Sequence, residues 1–225
     1  MSDALDLAPL IDHTVLRPEA THEQIERACA EAREYGFAGV CVRLEHVELV
    51  ARLLAGSACR PISVVAFPAG TGGAAAKVEE ARQAISAGAE EIDMVIDLAA
   101  LKQRDYATVV REIAAVVECA HPAIVKTILE TGALAPEEKA AAAALARAAG
   151  AAFVKTSTGF GPGGATVEDV ALLRSVVGPD MGVKASGGIR TSADARRMVA
   201  AGANRLGTSA SVAIVTGKSP DVRSY

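Results

Sequence analysis

The sequence predicts one α/β domain, a (β/α)8 TIM barrel with eight parallel strands, that occupies residues 1–225. Short β-branched runs alternate with longer Ala-rich amphipathic stretches, which is typical of βα units that feed a parallel sheet. A chain of 225 residues that is 51% hydrophobic has the size at which such barrels form one domain. Aromatic residues make up only 3%, so Val, Ile, Leu and Ala must fill the core, as they usually do in barrel interiors.

The strands and helix starts follow from local signals. Thr21 with Gln24 predicts a capping box, Pro136 suits a first helical turn, and Thr166 and Ser192 suit N-caps. The eight runs that we predict as strands are residues 10–14, 39–43, 62–67, 91–96, 123–129, 152–156, 182–185 and 204–207.

Three helices are expected to end in the same way. Gly88, Gly150 and Gly202 each lie between two alanines, shortly before a predicted strand. Glycine is the residue that most readily adopts the left-handed conformation at the C′ position of a helix. We therefore expect a positive φ at all three glycines.

Charge and composition argue against several functions. The net charge of −4 comes from 27 acidic and 23 basic residues that are mixed along the chain, which does not favour nucleic-acid binding. No apolar run reaches membrane-spanning length and no cationic apolar leader is present, so we expect a cytoplasmic protein that does not bind membranes. The four cysteines and four histidines are scattered, so we expect no disulfide, no metal and no cofactor.

Three lysines repeat at one position of three consecutive predicted strands. Lys126, Lys155 and Lys184 are spaced 29 residues apart, close to the length of one βα unit, and each follows a valine. Strand side chains alternate between the two faces, and the valines are expected to pack outward against helices. The lysines are therefore predicted to point into the barrel.

Buried lysines have two interpretations. They can be paired with inward acids such as Glu91 and Asp93, and for Lys126 this ion pair is as good an interpretation as a direct role. Ion pairing does not comfortably explain all three, because clustered ammonium groups repel each other and favour the loss of a proton. A neutral lysine is what Schiff-base chemistry requires.

Two acids belong with these lysines. Asp93 is expected to point inward because its neighbours Ile92 and Met94 suit the outer face. A buried carboxylate beside lysines can relay protons or serve as a counter-ion, and the two roles are compatible. Asp12 precedes His13 and could instead only cap a turn.

Three polar, glycine-containing segments follow late strands. Barrels often bind phosphate there, through loop amides and a helix N-terminus. The segments are residues 156–159 (TSTG), 186–188 (SGG) and 207–209 (GTS). Together they predict an anion-binding site.

Four motifs taken together resemble the deoxyribose-phosphate aldolase family. They are IDHT at residues 11–14, EIDMV at 91–95, VKTSTGF at 154–160 and VKASGGIR at 183–190. The resemblance spans nearly the whole chain. It implies reversible cleavage of 2-deoxy-D-ribose 5-phosphate to acetaldehyde and D-glyceraldehyde 3-phosphate without a cofactor. It also implies a homo-oligomer, a dimer or larger.

The resemblance assigns roles to individual residues. Lys155 would be the Schiff-base lysine, Lys184 the partner that lowers its pKa, and Asp93 the proton relay. Asp12 would be an outer member of the relay, and Tyr225 resembles a terminal tyrosine that helps to move a proton in some members. The residues expected to bind substrate or phosphate are Thr14, Cys41, Lys126, Thr158, Gly159, Gly187, Gly188, Gly207 and Ser209.

Ala210 departs from the family pattern, because a second phosphate-facing serine can occur there. Two other functions remain open at this point. One is a different Schiff-base barrel enzyme, such as a transaldolase-like or ketose-cleaving aldolase. The other is a non-catalytic phosphosugar-binding barrel, in which the lysines only neutralise the charge of the ligand.

Overall fold

The computed structural model describes residues 5–217, and in it eight parallel strands close into a barrel in sequence order, β1 to β8. This confirms the predicted TIM barrel. The strands are β1 Ile11–Thr14, β2 Gly39–Val42, β3 Arg60–Val65, β4 Glu91–Val95, β5 Ile124–Ile128, β6 Phe153–Lys155, β7 Gly182–Ser186 and β8 Arg205–Thr208. The α-helices are α1 His22–Tyr35, α2 Val47–Leu54, α3 Gly73–Ser86, α4 Leu98–Lys102, α5 Tyr106–Ala120, α6 Pro136–Ala148, α7 Val167–Val177, α8 Ser192–Ala200 and α9 Ser211–Thr216.

The helix ends follow the local signals with one correction. Thr21 and Gln24 form a capping box at α1, Pro136 opens α6, and Thr166 caps α7. The N-cap of α8 is Thr191 rather than Ser192, because the Thr191 hydroxyl accepts a hydrogen bond from the backbone N–H of Asp194.

The glycines predicted at the helix C′ positions have the expected conformation. Gly88, Gly150 and Gly202 have φ of 101°, 83° and 113°. Each one turns the chain out of a helix and toward the next strand, which supports the strand positions that bear Asp93, Lys155 and Gly207.

The third strand lies two residues earlier than predicted. It spans Arg60–Val65, whereas residues 62–67 were expected. Ala66 has φ of 53°, a left-handed conformation that an alanine rarely adopts and that cannot continue a strand. Ala66 and Phe67 therefore belong to the loop at the carboxyl end of β3.

Apolar side chains form two separate clusters. The large cluster packs the helices against the outer faces of the strands and includes Val125, Val154 and Val183. The small cluster lies inside the barrel and consists of Leu16, Cys41, Ile62 and Val64, with Phe67 packed against it. No helix within residues 5–217 combines the length and the apolar character that crossing a bilayer requires.

Candidate active site

The three lysines point into the barrel and meet at Asp93. Asp93 lies beside Lys126 in the β4–β5 register, and Lys155 lies beside Lys184 in the β6–β7 register. Lys126 Nζ donates to Asp93 Oδ1 at 2.8 Å. Lys155 Nζ and Lys184 Nζ both donate to Asp93 Oδ2, at 2.8 and 2.7 Å. One carboxylate thus joins side chains from four consecutive strands.

Two further carboxylates complete the cluster. Asp12, on β1, pairs with Lys184, and its Oδ1 accepts a hydrogen bond from Arg205 at 2.7 Å. Glu91, on β4, pairs with Lys126 at 2.5 Å and with Arg205 at 3.3 Å. Asp12 therefore does more than cap a turn, since it links β1 to the charges on β7 and β8.

The cluster contains more basic than acidic side chains. Its basic members are Lys126, Lys155, Lys184 and Arg205, and its acidic members are Asp12, Glu91 and Asp93. Ionisation of all seven groups would leave an excess positive charge in a site from which water is largely excluded. Such an excess favours the release of a proton from one of the basic groups.

The pKa shifts identify which groups stay charged. Burial alone would raise the pKa of Asp93, but Lys126, Lys155 and Lys184 outweigh it and hold that pKa well below its usual range. Burial alone would lower the pKa of Lys184, yet Asp12 and Asp93 raise it above its usual value. Lys184 is therefore held in its ammonium form.

Lys155 differs from the other two lysines in its access to solvent. Lys126 and Lys184 are fully buried, whereas Lys155 is 2% exposed and contributes to the lining of an open cavity of about 330 Å³. The sequence-predicted residues that line this cavity are Thr14, Lys155, Thr158, Gly159, Gly187, Gly188, Gly207 and Ser209. Lys155 thus connects the buried charges to a space that a ligand can enter.

Other predicted residues lie beneath the cavity or outside the described part of the chain. Asp12, Asp93, Lys126, Lys184 and Cys41 are fully buried and do not line it. Burial, followed by the negative charge of Asp93, raises the pKa of the Cys41 thiol to about 11. Tyr225 lies outside residues 5–217.

Two structural requirements explain why glycine occupies these positions around the cavity. Gly159, Gly187 and Gly188 have φ between 78° and 87°, a conformation that turns the backbone of the loops after β6 and β7. Gly207 has an ordinary φ, but a side-chain carbon there would lie 3.0 Å from Cε of Lys184. Gly207 therefore makes room for the Lys184 side chain.

Sequence reasoning missed three basic residues of the site. Arg205 joins Asp12 to Glu91, and Arg17 and Arg190 line the cavity. Arg205 could have been found by strand alternation, because Leu206 faces the outer core and Arg205 must then face inward. Arg17 and Arg190 lie in loops, where no such periodicity exists.

The acidic and basic side chains of the charged cluster are not arranged as a metal site. Within the described chain, no three His, Cys, Asp or Glu side chains are grouped so that they could hold a metal ion. Basic side chains surround the acidic ones instead.

Comparisons with known proteins agree with the geometry. The chain is 51% identical over 220 residues to deoxyribose-phosphate aldolase of Clostridium perfringens (strain SM101 / Type A), covering 97% of this chain and 98% of the relative. It is 52% identical over 217 residues to the enzyme of that name from Listeria monocytogenes serotype 4a (strain HCC23), covering 96% and 97%. A tetrameric deoxyribose phosphate aldolase from Aeropyrum pernix has a similar structure, with 36% identity, a TM-score of 0.88, and coverage of 94% of this chain and 90% of that chain.

The family comparison covers nearly the same residues as the barrel itself. The DeoC/LacD aldolase family matches residues 7–217, which include every strand and all seven members of the charged cluster. The chain is therefore an enzyme of the lyase class and belongs to the DeoC/LacD family of aldolases.

Proposed function

We propose that this enzyme reversibly cleaves 2-deoxy-D-ribose 5-phosphate to acetaldehyde and D-glyceraldehyde 3-phosphate, through a Schiff base on Lys155. The names of its relatives support the substrate. The observation that carries the mechanism is that, of the three interior lysines, Lys155 is the one that lines the open cavity.

The charged cluster supports a neutral Lys155. Lys184 is kept protonated by Asp12 and Asp93, and its charge lies close enough to Lys155 for both to donate to one oxygen atom. A neighbouring positive charge disfavours a second one on Lys155. Asp93 Oδ2 is within hydrogen-bond distance of Lys155 Nζ and can accept its proton.

The first steps form the Schiff base. Neutral Lys155 attacks C1 of the open-chain sugar, a C–N bond forms, and the former carbonyl oxygen takes up a proton to give a carbinolamine. The carbinolamine then loses its hydroxyl as water and becomes an iminium. Because the pKa of Asp93 is low, Asp93 passes protons on rather than storing them.

The next steps break the carbon-carbon bond. The C3 hydroxyl gives up its proton to the Asp93 relay, which later returns a proton to C2. The electron pair of the C2–C3 bond moves toward the iminium nitrogen and leaves an enamine. C3 becomes the aldehyde carbon of glyceraldehyde 3-phosphate. The enamine is protonated at C2, and water then hydrolyses the resulting iminium to release acetaldehyde and free Lys155.

The phosphate would be held on the β6–β8 side of the cavity. Gly159, Gly187, Gly188 and Ser209 supply loop amides and a hydroxyl there, and Arg17 and Arg190 add positive charge. Ala210 adds no donor for the phosphate, because it has no hydroxyl and its backbone N–H already donates to Thr208 Oγ1 at 2.9 Å.

Reduction with borohydride in the presence of acetaldehyde tests the mechanism. We expect an N-ethyl group on Lys155, located by peptide mass spectrometry. Lys155→Ala should show no adduct and no turnover, and the control Lys102→Met, at an exposed lysine at the end of α4, should show both. An active enzyme that forms no adduct on Lys155 would remove the mechanism. Turnover of ketose phosphates in place of deoxyribose 5-phosphate would contradict the proposed substrate.

We also infer that the protein assembles into a homo-oligomer, because a 36% identical relative is described as a tetramer. Light scattering coupled to gel filtration gives the mass directly. A monomer at micromolar concentration would contradict the inference.

A further inference from the structure

Two aromatic rings meet across the mouth of the barrel. Phe67 is the second residue after β3 and Phe160 lies in the loop after β6, and their ring centroids are 5.3 Å apart with the planes at 87°. We call this pair the aromatic bridge. Since β4 and β5 lie between β3 and β6 in the barrel, the bridge passes over the carboxyl ends of the strands that bear Asp93 and Lys126.

The Phe67 side of the bridge is held in place by several contacts. Ala66 has a left-handed backbone, and its N–H donates to Glu80 Oε2 at 2.8 Å. The guanidinium of Arg43 lies over the Phe67 ring at 5.6 Å from its centroid, and Arg43 Nε donates to Leu16 O at 2.8 Å. These contacts fix the Phe67 ring against Phe160, and Phe160 lines the cavity.

The Phe160 side is held by a buried carboxylate. Thr158 Oγ1 accepts hydrogen bonds from the N–H groups of Phe160 and Gly161, at 3.0 and 3.2 Å, and donates to Glu130 Oε2. Glu130 is 4% exposed and has φ of 55°. Within residues 5–217 three non-glycine residues have a positive φ, and two of them, Ala66 and Glu130, support the two halves of this bridge. Strained residues of this kind persist where the surrounding structure requires them, often at functional sites.

The bridge lies at the boundary between two unlike walls of the interior. The charged cluster occupies the side formed by β4 to β8 and by β1, which carries Asp12. The side formed by β2 and β3 is apolar, and Phe67 extends the small interior cluster toward the mouth. Leu16 belongs to this apolar wall and also lines the cavity with Lys155 and Phe160.

We propose that the aromatic bridge covers the apolar side of the pocket and selects donor aldehydes that have no hydroxyl on the carbon next to the carbonyl. This inference rests on the proposed function, in which the carbonyl carbon of the donor is bonded to Lys155. The adjacent carbon then lies between the charged wall and the apolar wall. A hydroxyl directed at Leu16 and the two rings loses its hydrogen bonds to water and meets apolar groups that offer it no strong hydrogen-bond partner.

The size of the effect is limited by chemistry. An apolar pocket rejects an analogue that adds one hydroxyl by at most about 100-fold. Opening the bridge admits water, which restores a hydrogen-bond partner for the hydroxyl, so we expect the selectivity to fall by roughly tenfold.

The test compares acetaldehyde with glycolaldehyde, which differs by that one hydroxyl, in condensation with glyceraldehyde 3-phosphate. The ratio of the two kcat/KM values is measured for the wild type, Phe160→Ala, Phe67→Ala and the double variant. Phe160 is 48% exposed, so its truncation removes little buried surface and the variant should fold. We expect the ratio to fall by roughly tenfold in each single variant and no further in the double variant, because the rings act as one unit.

The controls separate this proposal from the proposed function. Tyr106→Ala, which truncates an exposed aromatic residue at the start of α5, should keep the wild-type ratio. Phe160→Leu, which keeps an apolar side chain over the pocket, should retain most of the selectivity. An unchanged ratio in Phe160→Ala, or multiplicative losses in the double variant, would overturn the bridge while acetaldehyde turnover left the proposed function intact. A wild type that does not condense acetaldehyde at all would overturn both.

Discussion

Lys155 and Lys184 donate hydrogen bonds to the same atom, Oδ2 of Asp93, at 2.8 and 2.7 Å. The two amines are nevertheless not equivalent. Lys184 has a second carboxylate, Asp12, and no contact with the cavity, whereas Lys155 lines the cavity. Lys184 is therefore the amine that keeps its positive charge, and Lys155 is the amine that a ligand in the cavity can reach.

Lys184→Met should move the acid limb of the pH–rate profile to higher pH. The variant removes a positive charge that lies beside Lys155 on the same oxygen of Asp93, while Lys126 stays on the other oxygen. A unit charge at about 4 Å and an effective dielectric near 20 corresponds to a loss of roughly 100-fold or more in kcat/KM at pH 7. Activity should recover in part as the pH rises. A profile with the wild-type limb and rate would show that Lys184 does not act through its charge.

Asp93→Asn should reveal a pH-dependent contribution to stability. The pKa of Asp93 is held below its usual value, so its contribution is fully present above the unfolded pKa, near 3.9, and is lost as the pH falls through the lower folded pKa. At pH 7 the variant leaves buried lysines without their shared partner, which costs about 3–5 kcal/mol. Urea denaturation of both proteins at several pH values measures the difference.

That difference should shrink as the solution becomes more acidic than about pH 4, because a protonated Asp93 and an asparagine are both neutral. Asp180→Asn, an exposed position, serves as the control and should track the wild type at every pH. A constant gap between wild type and Asp93→Asn across the whole range would mean that ionisation of Asp93 is not the source of the stability.

The charged cluster was largely predictable because strand alternation is a strong constraint. Lys126, Lys155 and Lys184 recur at one position of the βα repeat, and their valine neighbours determine which face they occupy. Their common contact with Asp93 follows from the closure of the barrel. Which lysine borders the cavity could not be predicted, because loop conformation determines that.

The loop residues were less predictable for a related reason. Ala66 directly follows β3 and Glu130 is the second residue after β5, and their left-handed backbones depend on tertiary contacts rather than on intrinsic preference. The contact between Phe67 and Phe160 joins loops that are distant in sequence. No local periodicity relates such positions, so only the structure could bring them together.

Glu130→Gln should weaken binding of phosphorylated substrate more than it slows the chemistry. Glu130 accepts hydrogen bonds from the backbone and hydroxyl of Thr158, and Thr158 in turn orders the N–H groups of Phe160 and Gly161. An amide keeps the shape but loses the charge-assisted part of these bonds. We expect KM for deoxyribose 5-phosphate to rise about tenfold, a loss of about 1.4 kcal/mol, with a smaller change in kcat.

Acetaldehyde trapping on Lys155 provides a second measurement for Glu130→Gln, because acetaldehyde has no phosphate and should be trapped at the wild-type rate. Glu137→Gln, in the exposed first turn of α6, is the matched control. If the trapping rate fell by the same factor as KM rose, Glu130 would support the whole site and not only the segment from Thr158 to Gly161.

Lys77→Met should destabilise the protein without changing its chemistry. Lys77, on α3, and Glu112, on α5, form an ion pair of 2.6 Å whose side chains are almost completely buried, and Lys77 Nζ also donates to Val95 O at 3.1 Å. Removing the lysine leaves an unpaired carboxylate in the core, which costs about 3–5 kcal/mol in urea denaturation. Replacing both residues, as Lys77→Met with Glu112→Leu, removes the orphaned charge and should recover most of that loss. Val95 ends the strand that bears Asp93, so kcat/KM shows whether the ion pair only stabilises the fold or also positions Asp93. We expect kcat/KM of the folded double variant to stay near the wild-type value. A large drop would show that the bond to Val95 positions Asp93.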